Sequence, residues 1–273
     1  MNEQSNNVLA EEFRFFMTWG KYRDYKNLKL LISEPNDVRL AVDKAYTDMS
    51  TRTIKGLSLE FKGNKDLKKA CKKEKWEKIE ICKNNLAKRL IELFNSNTET
   101  IGNKMGTKDN SIDFSKELKR ISNCFLDEYK SAMNKLNQSI SQAPNSDTYL
   151  IDVDNIKYGK AQKIVNMTCK YLMLFSDASD YQKVFQQCEM PLDSKILEYY
   201  NNTIVTSLNK SKNSKIQRCN TAWSNLEYDE YEDIQKNIKE FCESNKNTDL
   251  NLTGFPLIDE FTIWKNQINQ INK

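Results

Sequence analysis

The sequence predicts an all-α protein, and three observations lead to that prediction. Hydrophobic residues recur at helical spacing along most of the chain, as at Phe114, Leu118 and Ile121. The 273 residues include only seven glycines and four prolines, whereas a β-sandwich or barrel needs a turn signal every ~8–12 residues. Clusters of β-branched residues are few and short. We therefore expect roughly ten helices packed around a shared core.

The same spacing places the helices in order along the chain. They are expected over 8–32, from the N-cap Asp37 to Met49, through Trp76 to Leu93, over 112–139, within 151–206, over 223–238 and from Ile258 onward. Loops are expected over 56–66 and 102–110. The polar stretch 140–150, which contains Pro144, is the best candidate for a boundary. It divides the chain into an N-terminal helical region, 1–145, and a second helical region, 146–273, within one compact unit.

The composition excludes several classes of enzyme. The chain has no histidine, which rules out Ser-His-Asp and Cys-His hydrolysis and zinc sites built on imidazole. Its seven cysteines form no CxxC pair, so neither a zinc ribbon nor a thioredoxin-like motif is present. No phosphate-binding loop, dinucleotide-binding glycine motif or EF-hand loop occurs either. We therefore expect no metal and no cofactor.

The chain is expected to be a soluble, cytoplasmic protein without a membrane partner. Its polar N-terminus lacks the apolar core of a signal peptide. The odd number and wide spacing of the cysteines suggest reduced thiols. The longest apolar stretches are far shorter than the ~20 residues that span a membrane.

A lysine-rich segment, Lys62 to Lys78, has two interpretations. It contains eight lysines and three acidic residues. In the first interpretation it is a solvated helix face that carries ion pairs between residues four positions apart. In the second it is a patch that contacts phosphate groups. Trp76, inside this segment, is expected to lie in the core rather than to stack on bases.

Two stretches carry the most chemical information: 158–172 and 188–197. In the first, Gly159 suits a tight turn, and it precedes a helix that is apolar around most of its circumference and is therefore expected to be central to the core. Lys160 and Lys163 are neighbours on one face of that helix, and a second cation and apolar surroundings both favour the neutral amine that a nucleophile requires. In the second stretch, Asp193 follows a proline and is positioned as the N-cap of another apolar helix.

A glycine turn, a lysine at the start of a buried helix and Pro-x-Asp opening a later helix together resemble the helix-hairpin-helix DNA glycosylases. Gln162-Lys163-Ile164-Val165 and Met190-Pro191-Leu192-Asp193 look most like the archaeal 8-oxoguanine glycosylase branch. The resemblance extends from Tyr158 to Tyr200. It implies a fold of two helical subdomains with a cleft between them, and it implies double-stranded DNA carrying a damaged or modified base as the partner.

The resemblance also implies roles for individual residues. Lys163 matches the Schiff-base lysine of the family and Asp193 its catalytic aspartate. Tyr158, Gly159 and Lys160 match the turn that holds a DNA phosphate through backbone N–H groups, and Ser194 is assigned to DNA contact as well. The chain departs from the family because Gly159 stands alone, where the usual hairpin has two glycines separated by one residue.

Three functions therefore remain open from the sequence. The first is a glycosylase, with or without strand cleavage through a covalent imine, that acts on oxidative damage or on a modified phage base. The second is a non-catalytic helical protein that binds nucleic acid or another protein. The third is a helical phosphohydrolase, although paired metal-binding carboxylates are missing. The first requires Lys163 and Asp193 to meet in one concave site.

Overall fold

The computed structural model describes residues 29–53, 65–102, 113–141, 151–176, 181–212, 215–246 and 248–271. Over these residues the structure is helical and contains no β-strand, which confirms the all-α fold class. No helix in the described ranges has both the length and the apolar character needed to cross a membrane.

Nine α-helices occur in the described ranges. They are α1 (Pro35–Thr53), α2 (Lys65–Gly102), α3 (Phe114–Ser141), α4 (Tyr158–Phe175), α5 (Gln182–Phe185), α6 (Ser194–Tyr199), α7 (Val205–Lys212), α8 (Tyr228–Ser244) and α9 (Pro256–Ile271). A π-helical turn, Tyr200–Ile204, joins α6 to α7, and a 3-10 turn, Trp223–Asn225, precedes α8.

Helix α4 is the central element of the fold, as its apolar circumference predicts. All of its residues except Lys160 and Met173 are buried. Helices α1 and α3 make the most extensive contacts with it, and α8 and the 3-10 turn contact it near its start. A helix enclosed in this way buries its polar side chains as well, so each of them needs a partner inside the protein.

The buried hydrophobic residues form two clusters. The first joins α1 to α5 and includes Leu257 and Phe261 of α9. The second lies among α6, α7 and α8 and includes Tyr158 at the start of α4. The first cluster continues past residue 145 into α4, so the hydrophobic core is not divided at that position. The division into regions 1–145 and 146–273 stays a prediction.

Several element boundaries differ from those expected. A helix was expected over 8–32. Residues 29–32 are not helical, and Leu30 forms an isolated parallel bridge with Ser176. Residues 8–28 lie outside the described part. Asp37 lies in the first turn of α1, where its carboxylate accepts a hydrogen bond from the Leu31 N–H at 2.8 Å, so it is not the N-cap. Helix α3 extends to Ser141, and most of the expected loops fall outside the described ranges.

The position of Trp76 differs from the expectation that it lies in the core. Its side chain is 55% exposed on α2, so it does not belong to the core. The lysine-rich segment around it is helical from residue 65 onward and forms the ion pairs of its first interpretation. Lys73 lies 3.9 Å from Glu77 and Lys78 lies 3.2 Å from Glu74.

Candidate functional site

Lys163 and Asp193, 30 residues apart in the chain, are in contact. The Nζ atom of Lys163 lies 3.2 Å from Oδ2 of Asp193 and 3.5 Å from the carbonyl oxygen of Pro191. The ring centroid of Trp223 lies 6.0 Å from the same Nζ. The lysine side chain is 9% exposed and that of Asp193 is 30% exposed, so the carboxylate is the outer member of the pair.

Asp193 is the N-cap of α6, as predicted. Its backbone is extended, and its Oδ1 atom accepts hydrogen bonds of 2.9 Å from the N–H groups of Lys195 and Ile196. This leaves Oδ2 directed at Lys163. Burial alone would raise the pKa of the Asp193 carboxyl, but the positive charge of Lys163 and the Ile196 N–H outweigh burial and lower that pKa below its usual value.

A glutamine on α8 holds the segment that leads into Asp193. The Gln235 side-chain amide donates to the carbonyl oxygen of Met190 at 2.6 Å and accepts from the Met190 N–H at 3.3 Å. Both backbone groups of Met190 are thus fixed three residues before the carboxylate. Gln235 was not predicted from the sequence. The signal for it is a polar residue beside Ile234 and Ile238 on the buried face of α8.

A second ion pair lies deeper along the same helix. Lys170 is two turns after Lys163 on α4, and its Nζ lies 2.8 Å from Glu260 on α9. The two side chains are 3% and 1% exposed. Burial lowers the pKa of Lys170 and raises the pKa of Glu260, because both charged forms are removed from water. The second carboxylate oxygen of Glu260 is buried and has no hydrogen-bond partner among the described residues.

The two pairs form one group, which we call the central charge cluster: Lys163, Asp193, Lys170 and Glu260. The charges of Lys163 and Asp193 act on Lys170 and also on Glu260. Neither Lys170 nor Glu260 was predicted as a site residue from the sequence. An acidic residue within the apolar first half of α9 is the signal that could have indicated a buried partner.

A separate polar network crosses the start of α4. Asn166 donates to Gln162 at 3.1 Å and to the Tyr231 hydroxyl at 2.8 Å, and that hydroxyl donates to Glu189 at 2.6 Å. Lys119 on α3 lies 3.4 Å from Glu189. These bonds connect α3, α4 and α8 with the segment before Asp193, so they hold that segment against the rest of the fold.

Gly159 does not form the expected tight turn. It lies within the first turn of α4, and the residues with positive φ in the described part are Asn251 and Gly254. The requirement for glycine has another origin, since a Cβ atom at Gly159 would lie 1.9 Å from the carbonyl oxygen of Trp223. The Gly159 N–H donates to the Leu226 carbonyl at 2.9 Å.

The other residues assigned to DNA contact occupy different environments. Tyr158 is 2% exposed, and its ring meets those of Tyr228 and Tyr231 edge-on. The Lys160 N–H donates to the Lys157 carbonyl at 3.1 Å. Ser194 is exposed at the first position of α6. The amides of Gly159 and Lys160 are therefore used inside the protein, and the contacts of all four residues with DNA stay a prediction.

The described residues directly before α4, 151–157, contain no helix and form a loop with a turn. A hairpin between two adjacent helices is therefore not formed by the described residues immediately before α4. Within the described ranges, no group of three or more acidic, cysteine or histidine residues is arranged to hold a metal ion.

The contribution of Asp193 to stability should depend on pH in a defined direction. Because its folded pKa is lowered, the stabilisation is fully present above the unfolded pKa of ~3.9 and is lost as the pH falls through the folded pKa. We expect Asp193→Asn, which keeps an N-cap oxygen, to be less stable than the wild type by a constant amount from pH 7 to about pH 4. The difference should shrink below about pH 4 in urea unfolding. A difference that already shrinks between pH 7 and 5 would contradict the lowered pKa.

No protein-family model matches the chain, and comparisons with curated proteins and with solved structures also find no match.

Proposed function

We propose that the protein is a DNA glycosylase that releases a damaged or modified base by means of Lys163 and Asp193. The observation that supports this most strongly is the 3.2 Å contact between the lysine amine and the aspartate, which come from distant parts of the chain. The choice of base release as the reaction rests on the resemblance of Tyr158 to Tyr200 to the helix-hairpin-helix DNA glycosylases. Asp193 is oriented by two backbone N–H groups on Oδ1, so its other oxygen, Oδ2, has one fixed direction.

In the covalent route, the nucleotide is first extruded from the duplex, which costs a few kcal/mol and least for a damaged base. Lys163, after releasing a proton to solvent, attacks the anomeric carbon of the sugar as a neutral amine. The carbon–nitrogen bond to Lys163 forms, the glycosidic bond breaks, and its electron pair leaves with the base. The lysine nitrogen then loses a proton, the bond between the anomeric carbon and the ring oxygen breaks, and the ring oxygen takes up a proton. The imine that forms in this way allows strand cleavage.

The difference in exposure between the two side chains suits a second route, in which water is the nucleophile. Asp193 is more exposed than Lys163, so a sugar entering from solvent meets the carboxylate first. In a water route, Asp193 directs a water molecule at the sugar and stabilises its developing positive charge. Lys163 then keeps Asp193 ionised through the 3.2 Å contact and forms no covalent bond.

Two observations favour a non-catalytic alternative, a helical protein that binds nucleic acid or another protein. The amides of Gly159 and Lys160 already have acceptors within the protein. Lys163 is largely buried in an ion pair, as is typical of a structural lysine. In this alternative the central charge cluster only links α4, α6 and α9.

Borohydride trapping on duplex oligonucleotides that carry a panel of modified bases separates these functions. We expect a covalent adduct with the wild type that disappears in Lys163→Gln, because the attacking amine is removed. Base release without an adduct that persists in Lys163→Gln and stops in Asp193→Asn would indicate the water route. Lys183→Gln, an exposed lysine on α5, is the matched control.

Two outcomes would contradict the proposal in different ways. An adduct that is lost in Lys160→Gln and kept in Lys163→Gln would assign the nucleophile to Lys160. No adduct and no base release on any substrate, with the wild type folded, would favour the non-catalytic protein.

A further inference from the structure

One face of α2 presents three lysines and a tryptophan to solvent. Lys69, Lys72, Lys73 and Trp76 follow one another at intervals of three, one and three residues, so they share a face of the helix. All four are exposed; the Trp76 side chain is 55% exposed and the Lys73 side chain 80%. We call these four residues the lysine–tryptophan face.

The segment of α2 that carries this face has a surplus of positive charge. Residues 65–78 contain seven lysines and three acidic residues, a surplus of four that equals the formal net charge of +4 of the whole chain. The remaining residues are therefore balanced overall. Lys73 has Glu77 at 3.9 Å, whereas Lys69 and Lys72 form no ion pair within the part of the chain that the structure describes. Such a local surplus attracts a polyanion and releases its counterions.

Trp76 indicates which polyanion fits the face. An exposed indole beside lysines offers a surface on which a base can stack, and single-stranded nucleic acid presents free base faces. In a duplex the faces of the bases are covered by their neighbours. The lysines span ~6 Å of helix, and a nucleic-acid strand carries one phosphate per ~3.4 Å, so neighbouring phosphates can meet different lysines.

An anionic membrane fits this face less well. A membrane-binding helix buries a continuous apolar face of several large residues. Ile81, an exposed apolar residue on the same helix at 60%, is five positions after Trp76 and lies about 140° around the axis from it. The lysine–tryptophan face therefore has one large apolar side chain and no broad apolar surface.

We propose that the lysine–tryptophan face of α2 is a binding surface for single-stranded nucleic acid. Lys69, Lys72 and Lys73 neutralise phosphates, and Trp76 stacks on a base. The surface shares no residue with the Lys163–Asp193 pair, so this proposal does not depend on the glycosylase function.

The test is fluorescence anisotropy of a labelled 20-nucleotide thymidine oligonucleotide with the full chain at several salt concentrations. We expect the triple variant Lys69→Gln/Lys72→Gln/Lys73→Gln to reduce the slope of log affinity against log salt by about 2. Trp76→Ala should weaken binding roughly tenfold, and Trp76→Phe should restore part of it. The matched control is Lys210→Gln/Lys236→Gln/Lys239→Gln, which removes three exposed lysines elsewhere.

All substituted side chains are exposed, so circular dichroism should show every variant folded. The proposal is overturned if both triple variants lose the same affinity, since the effect would then be one of total charge. It is also overturned if the wild type binds only a duplex of the same length, or if the triple substitution on α2 affects only binding to vesicles of anionic phospholipid. An absence of binding to the oligonucleotide at low salt would overturn it too.

Discussion

Replacing Lys170 by methionine is expected to lower the free energy of unfolding by about 3–5 kcal/mol. The substitution removes the cation 2.8 Å from Glu260 and leaves that carboxyl in the core, where its side chain is 1% exposed. Because one oxygen of Glu260 already has no hydrogen-bond partner among the described residues, little remains there to stabilise the charge. The carboxyl must then take up a proton or draw water into the core.

The double variant Lys170→Met/Glu260→Leu should recover most of that loss. Two apolar side chains of similar volume fill the same space without the cost of burying charge, so the double variant should approach wild-type stability or exceed it. Urea unfolding of the wild type, both single variants and the double variant gives the coupling energy directly. Additive single effects would show that the two residues do not interact as the 2.8 Å contact implies.

Gly159→Ala is expected to destabilise the protein by about 3 kcal/mol, at the upper end of the usual range for overpacking. The added Cβ would lie 1.9 Å from the carbonyl oxygen of Trp223, so α4 and the 3-10 turn must move apart. That movement also breaks the 2.9 Å hydrogen bond from the Gly159 N–H to the Leu226 carbonyl. Trp223 should move away from Lys163, which a change in tryptophan fluorescence of the folded state would report.

Gly254→Ala is the control variant for Gly159→Ala. A Cβ at Gly254 meets the flexible end of the Lys246 side chain, which can move aside, while the φ of +85° costs about 1–2 kcal/mol in an alanine. We expect the smaller loss of stability here and no change near Trp223. If Gly159→Ala unfolded at the wild-type urea concentration, the close approach of Trp223 to α4 would be wrong.

The fold class and most helices follow from periodicity alone. In α3, buried apolar residues recur at intervals of three and four from Phe114 to Ile140, and that pattern predicted the helix to within two residues at each end. The expectation for Trp76 failed because a single large apolar residue among lysines contains no information about which side of α2 meets the core. Gly159 was misread because a close approach and a tight turn both require glycine.

The residues of the candidate site also differ in how well the sequence predicted them. The N-cap role of Asp193 depends on its own helix, so the local pattern of residues predicted it correctly. Glu260 is 90 positions from Lys170, and Gln235 is 45 positions from Met190. A pattern of neighbouring residues cannot predict contacts between side chains so far apart in the chain. In the sequence, Glu260 and Gln235 differ from their neighbours only in being polar residues on an apolar helix face.

Local patterns of residues predicted most of the helices, excluded imidazole chemistry and identified Lys163 and Asp193 as residues whose chemistry can be tested. Three facts came from the folded arrangement alone: these two side chains meet, a second buried pair lies behind them, and the amides of Gly159 and Lys160 already have acceptors. The physical reason is that helix formation depends on neighbours within about four residues. The pairing of buried charges depends instead on which distant segments the hydrophobic core brings into contact.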